Sequence, residues 1–195
     1  CLTPPRGHDV DLAMASTVFC TATTLDGFIA TDDHSLDWLT TRIPSRDGPL
    51  DYAAFIAGVG SLCMGANTYE WVYRACHDDT GAETEPWAYS QPCWVFTHHE
   101  VHPWPGAELR ITTAPVADVH AELVAAAGGR DVWVVGGDDV AGQFLDEGLL
   151  DEVIVNIAPV TLGSGKPLLP RRAELRCVEM LPSGEFIAAR YEVAR

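Results

Sequence analysis

The densest chemistry in the chain lies in VWVVGGDDVAGQFLD, residues 132–146, where an apolar run, two glycines and a helix-patterned stretch follow one another. Glycines at such a turn remove Cβ atoms where the backbone bends sharply and where a ligand can approach. The N–H groups of Gly136, Gly137, Asp138, Asp139, Val140 and Ala141, with the positive end of the following helix, then make an anion site. The same residues fit a plain tight turn with Asp138 as the helix cap, and both readings stay open. Asp138 and Asp139 cut against phosphate, because carboxylates at that helix end repel it. A second cluster, His98, His99 and His102, offers imidazoles, which are common zinc ligands. No H-E-x-x-H or paired cysteines accompany it and Pro103 and Pro105 break any helix there, so no metal is expected.

The elements that must hold these residues alternate. TVFCTATTL (17–25) is rich in β-branched residues and ends at an Asp26-Gly27 turn. Tyr52, Phe55, Ile56 and Val59 fall on one face of a helix, for which Asp51 is a suitable N-cap. SLCMG (61–65) reads as a buried strand ending in Gly65, after which Asn67 can cap a second helix through Tyr73. CWVFT (93–97) and a stretch near Leu109 to Thr112 read as strands. Val116, Val119 and Leu123 mark a helix closed by Gly128-Gly129. VWVV (132–135) is continuously apolar, as in a parallel strand covered on both faces. A strand over 152–160 follows, and two alternating strands flank a Pro182-Ser183-Gly184 turn. This order specifies an α/β fold with a mixed, mainly parallel sheet flanked by helices and a C-terminal antiparallel hairpin. We expect a loose arm over 1–15 and a single domain over 16–195.

Charge narrows the partners. The 195 residues carry 12 Lys+Arg against 28 Asp+Glu, a formal charge of −16. Nucleic acid and anionic membranes call for basic stripes, and Lys166 is the only lysine. An anionic small molecule stays compatible, since backbone N–H groups bind phosphate without lysine. No stretch of about 18 apolar residues suggests a membrane helix, and no secretory signal pattern is read at the N-terminus. Six cysteines occur without a C-x-x-C pair. Cys20, Cys63, Cys93 and Cys177 sit in strand-like apolar runs, expected as small buried hydrophobes in a reducing cytoplasm.

Four blocks carry a resemblance: TLDGFIA (24–30), LCMGANTYE (62–70), VWVVGGDDVAGQFLDEGLLDEV (132–153) and APVTLGSGKPLLP (158–170). Through them the chain resembles the dihydrofolate reductase-like superfamily, specifically the stand-alone proteins related to the pyrimidine reductase domain of riboflavin biosynthesis. The resemblance implies a sheet of about eight strands and NADPH extended across the carboxyl edges of the strands. It implies Ile29 and Ala30 on the nicotinamide side. Gly65, Asn67 and Thr68 would hold the pyrophosphate at one helix start, with Gly136, Gly137 and the N–H groups through Ala141 at another. Thr97 and His98 would approach the adenosine 2′-phosphate, Trp38 the substrate mouth, and Asp51 the place of a substrate carboxylate. Helix capping is the competing role for Asp51, and loop packing for Trp38. Lys166 reads as part of a turn between strands. The family commonly has Arg where Ala66 stands, and often Arg or Ser where His98 stands, so the guanidinium clamp for a 2′-phosphate is missing and NADH stays open. The implied activity is reduction of a small heterocyclic (pteridine- or pyrimidine-like) or carbonyl substrate by a cytoplasmic homodimer. The competing reading is a non-catalytic ligand-binding or interaction protein on the same fold.

Overall fold

The computed structural model describes residues 15–42, 52–137 and 139–195. Along the chain they form β1 (Thr17–Thr24), β2 (Phe28–Ala30), α1 (Asp37–Thr40), α2 (Tyr52–Gly58), β3 (Val59–Gly65), α3 (Ala66–Ala75), β4 (Cys93–Phe96) and β5 (Leu109–Thr112). Then come α4 (Val116–Ala127), β6 (Asp131–Gly136), α5 (Val140–Asp146), β7 (Glu152–Ala158), β8 (Lys166–Pro167), β9 (Leu175–Ser183) and β10 (Phe186–Val193). Eight strands make one sheet in the order β5-β4-β3-β6-β1-β7-β10-β9, and β2 pairs with β8 in a second, small one. The first six in that order run parallel, while β10 returns antiparallel against β7 and pairs with β9 as a hairpin.

The period-2 alternation of the strands divides two cores. Cys63, Val132 and Val134 face one way and pack with Val119, Leu123 and Ala127 of α4 and Phe144 of α5. Leu62, Met64 and Trp133 face the other way, with Tyr69 and Val72 of α3. α4 presses so closely on β3 that a Cβ at Gly60 would stand 2.1 Å from the Ala127 carbonyl oxygen. Leu123 is fully buried there, a placement that contributes about 1.5–3 kcal/mol. Gly128, at φ 62, closes α4 in the left-handed conformation that glycine adopts without steric cost.

The chain leaves β3 through α3 on one face toward β4, and leaves β6 through α5 on the other face toward β7. The carboxyl ends of β3 and β6 therefore flank a crevice from which the connections diverge, the place where open α/β sheets bind ligands.

Several boundaries differ from the sequence pattern. Val59 opens β3 rather than closing the preceding helix, which stops at Gly58. Asn67 lies inside the first turn of α3, whose N-cap is Gly65. β7 ends at Ala158, before Pro159, which lacks the N–H a ladder needs. Cys63 and Cys93 are buried as expected, Cys20 is half-buried, and Cys177 is exposed on the outer strand β9. Asp51 and Asp138 lie outside the described residues. No helix among the described residues is long and apolar enough to cross a membrane.

Candidate active site

A cavity of about 1120 Å³ opens at the carboxyl edges of β1, β3, β6 and β7. Its volume exceeds the roughly 300–1,000 Å³ of ordinary small-molecule pockets. At one end, the starts of α3 and α5 converge. Gly137, at φ 84, approaches Thr68 so closely that a Cβ there would stand 2.5 Å from Thr68 Oγ1. Asn67, Thr68, Gly136, Gly137, Val140 and Ala141 all line this end. The starts of two helices thus border one space.

Asp139 caps α5 at φ 61, a left-handed conformation uncommon for a residue with a Cβ. Arg171 compensates its charge. Arg171 Nη2 donates to Asp139 Oδ2 at 2.5 Å and Arg171 Nε donates to Asp146 Oδ2 at 2.8 Å. The other oxygen, Asp139 Oδ1, is buried without a hydrogen-bond partner. It lies against Gly142, where a Cβ would come within 2.1 Å of it. The repulsion expected from Asp139 is therefore offset by a cation that no local pattern reveals.

An aromatic wall continues from there. Trp133 Nε1 donates to the Cys20 carbonyl at 3.0 Å, and the indole meets Tyr89 and Tyr52 edge-on, with centroids 5.6 and 6.0 Å away. All three rings line the cavity, and so does Trp71. Burial pushes the Cys20 thiol up to about 12 and raises the Tyr89 and Tyr52 phenols as well. None of the three supplies an anion near neutral pH.

The far end carries the cations Arg42 and Lys166, with His34 beside them in the wall. Among the described residues, Asp139 is the one carboxylate in the cavity wall. In a chain of net charge −16, the described part of the chamber wall thus carries two permanent cations against one carboxylate.

The structure brings together Ile29, Ala30, Asn67, Thr68, Gly136, Gly137, Asp139, Val140 and Ala141. Gly65 is the N-cap of α3, just behind that group. Thr97 and His98 are not in the wall: Thr97 is buried in a local turn, its Oγ1 donating to the His99 carbonyl and accepting from the His99 N–H, and His98 is exposed. Trp38 is likewise absent from it, because its ring packs on Ala158 and Phe186 while its neighbours Leu36 and Leu39 reach the cavity. His102 pairs with Glu70 at 2.7 Å and stacks on Tyr73. Among the described residues no three metal-capable side chains cluster. Sequence reasoning missed Trp133, Tyr89, Arg42 and Lys166. Trp133 could have been suspected, as a bulky polar-edged ring inside an otherwise aliphatic strand.

The chain belongs to the RibD C-terminal domain family, which matches residues 16–187. The uncharacterised Bacillus subtilis protein YwjB is 29% identical over 188 residues, 90% of this chain and 96% of its own length. Another, YyaP, is 29% identical over 153 residues, 75% of this chain and 76% of its own. Among solved structures, a Shewanella sp. PV-4 protein provisionally named for riboflavin biosynthesis superposes with a TM-score of 0.74 at 26% identity, over 92% of this chain and 99% of that one. The Thermotoga maritima deaminase/reductase of the pyrimidine intermediates superposes at 0.62 and 16% identity, over 93% of this chain and 57% of that one, a likeness of fold. The dihydrofolate reductase-like sheet implied by the four sequence blocks is the one observed.

Proposed function

We propose that this protein is an NADPH-dependent reductase of a small planar heterocyclic or carbonyl substrate. The observation that carries the reading is one large cavity into which the starts of α3 and α5 converge and whose wall also carries basic side chains. Among the described residues the wall holds one carboxylate, Asp139, paired with Arg171, together with the basic side chains Arg42 and Lys166, in a chain of net charge −16. In this reading the pyrophosphate lies on the N–H groups from Gly136 through Ala141 and on Asn67 and Thr68, and Ile29 and Ala30 border the nicotinamide. The bound nicotinamide supplies a hydride. The chain's part is to hold the two partners in one chamber, with the Trp133, Tyr89 and Tyr52 rings keeping water from the reacting faces.

Ala66 leaves no guanidinium beside the α3 start, and Thr97 and His98 lie off the cavity wall, so NADH is the natural competitor of NADPH. The same two facts favour a second reading, a binding protein without turnover. NADPH consumption with a panel of pteridines, pyrimidines and small carbonyls separates the two. Turnover with at least one of them supports the reductase, and saturable binding with no turnover supports the binding protein. A homodimer belongs to the same proposal. The outer strand β9 exposes Leu175, Val178 and Met180, and light scattering reads the mass directly.

A further inference from the structure

Lys166, the only lysine of the chain, is held in place with unusual completeness. The Asp26 carboxylate accepts the N–H groups of Leu162 and Gly163 at 3.0 and 2.7 Å. Ser164 Oγ donates to Asp32 at 2.8 Å. Gly165, at φ 150, presses on β2, where a Cβ would stand 2.2 Å from the Ala30 carbonyl oxygen. Lys166 itself pairs with Ala30, and the Leu168 N–H donates to the Gly27 carbonyl. The loop after β7 is thus clamped to the loop after β1, and the residue at its end lines the cavity half-buried.

Most basic side chains are occupied: Arg110, Arg171, Arg172, Arg176, Arg190 and Arg195 each face a carboxylate. In the cavity, Arg42 is divided between the Trp38 carbonyl, 3.0 Å from Nε, and Glu185, 3.7 Å from Nη1. Lys166 forms no ion pair within 4 Å among the described residues. A lone half-buried ammonium in a chamber walled by Trp133, Tyr89 and Tyr52 has a definite chemical complement. We propose that Lys166 marks a subsite for a planar organic monoanion, a flat ring carrying one carboxylate or ring-enolate charge and no phosphate.

The inference rests on the reductase reading for its meaning, since the ligand is then the substrate. The phosphate is left out because a dianion with three acceptor oxygens is matched by several converging donors, and among the described residues the cation end offers one uncommitted ammonium. The aromatic rings take the ring's faces by offset or edge-on contact.

Calorimetric titration of wild-type protein, Lys166→Met and Lys166→Arg with three flat probes tests it: 2-naphthoate, 2-naphthamide and 2-naphthyl phosphate. Wild type binds the naphthoate about tenfold tighter than its neutral isostere, against the sign of the whole chain. Lys166→Met loses the preference and Lys166→Arg keeps it, with both variants showing wild-type circular dichroism and melting. Equal or tighter binding of the amide overturns the proposal. So does a preference that survives in Lys166→Met, tighter binding of the phosphate, or the absence of binding by any probe at about millimolar concentration. An NADPH titration of wild type runs alongside. Failure of NADPH to bind with the naphthoate preference intact rejects the reductase reading and leaves the monoanion subsite standing.

Discussion

At the residue scale, the contact between Gly137 and Thr68 decides whether two helix starts can share one ligand. Gly137→Ala places a Cβ 2.5 Å from Thr68 Oγ1 at a φ of 84, and the strain costs about 1–3 kcal/mol. The expected result is a lower urea midpoint, with part of the loss restored by adding Thr68→Ala, which removes the shortest contact but leaves the Thr68 Cβ and N at 3.0 and 3.2 Å and the backbone strain. An unchanged midpoint in Gly137→Ala contradicts the close approach. His120 gives a second test. It hydrogen-bonds Thr17 Oγ1 at 2.9 Å, and burial holds its pKa below the ordinary 6.5, against an opposing pull from Asp151. The unfolded chain protonates His120 first, so between 6.5 and the lower folded value the unfolded state binds more protons and stability rises with pH. His120 therefore contributes stability that is present above pH 6.5 and lost as pH falls through the folded value. The urea midpoint should drop between about pH 7.5 and 5.5, and drop less in His120→Gln. Equal drops in both proteins rule out this linkage.

At the element scale, α5 is a short helix whose start, in the proposed reading, accepts an anion beside its own Asp139. Arg171, which reaches in from the chain beyond β8, reconciles the two by bridging Asp139 and Asp146. Both partners are about one-third exposed, so the pair itself stabilises the fold by no more than about 1 kcal/mol. Its larger effect falls on binding. Arg171→Gln should weaken NADPH binding about three- to tenfold at low salt, with a smaller effect at high salt, where screening shields the freed carboxylate. A titration showing no change, or strengthening, contradicts the compensating role. This element also shows how far the sequence could be read. The Gly136-Gly137 turn, the flanking strand and helix and the mainly parallel sheet follow from period and turn chemistry. The partner of Asp139 does not, because Arg171 is 32 residues away in irregular chain. β2 and β8 are two or three residues long, too short for a period-2 pattern. Their pairing nonetheless turns Lys166 from a loop residue into part of the cavity wall. Thr97 and His98 follow a strand end in the expected place but are not among the residues lining the cavity, and Thr97 Oγ1 is bonded to His99 in a local turn.

At the scale of the whole molecule, a formal charge of −16 and a basic cavity wall act on different steps. The outer field opposes the approach of an anionic dinucleotide, and the wall, with its Lys166 and Arg42, acts on it only after entry. Raising salt from about 20 to 200 mM should therefore speed association by screening the outer field. It should speed dissociation too, by screening the wall. Stopped-flow mixing reads both rates, and an association rate that falls with salt contradicts the division. The cavity itself is tested most directly by titrating NADPH while exciting tryptophan and reading the nicotinamide emission. Trp133 and Trp71 lie in the cavity wall, so bound NADPH should show saturable energy transfer that ATP displaces partially and NADP fully. Emission that rises only linearly through about millimolar NADPH, with no saturation, would contradict the dinucleotide site.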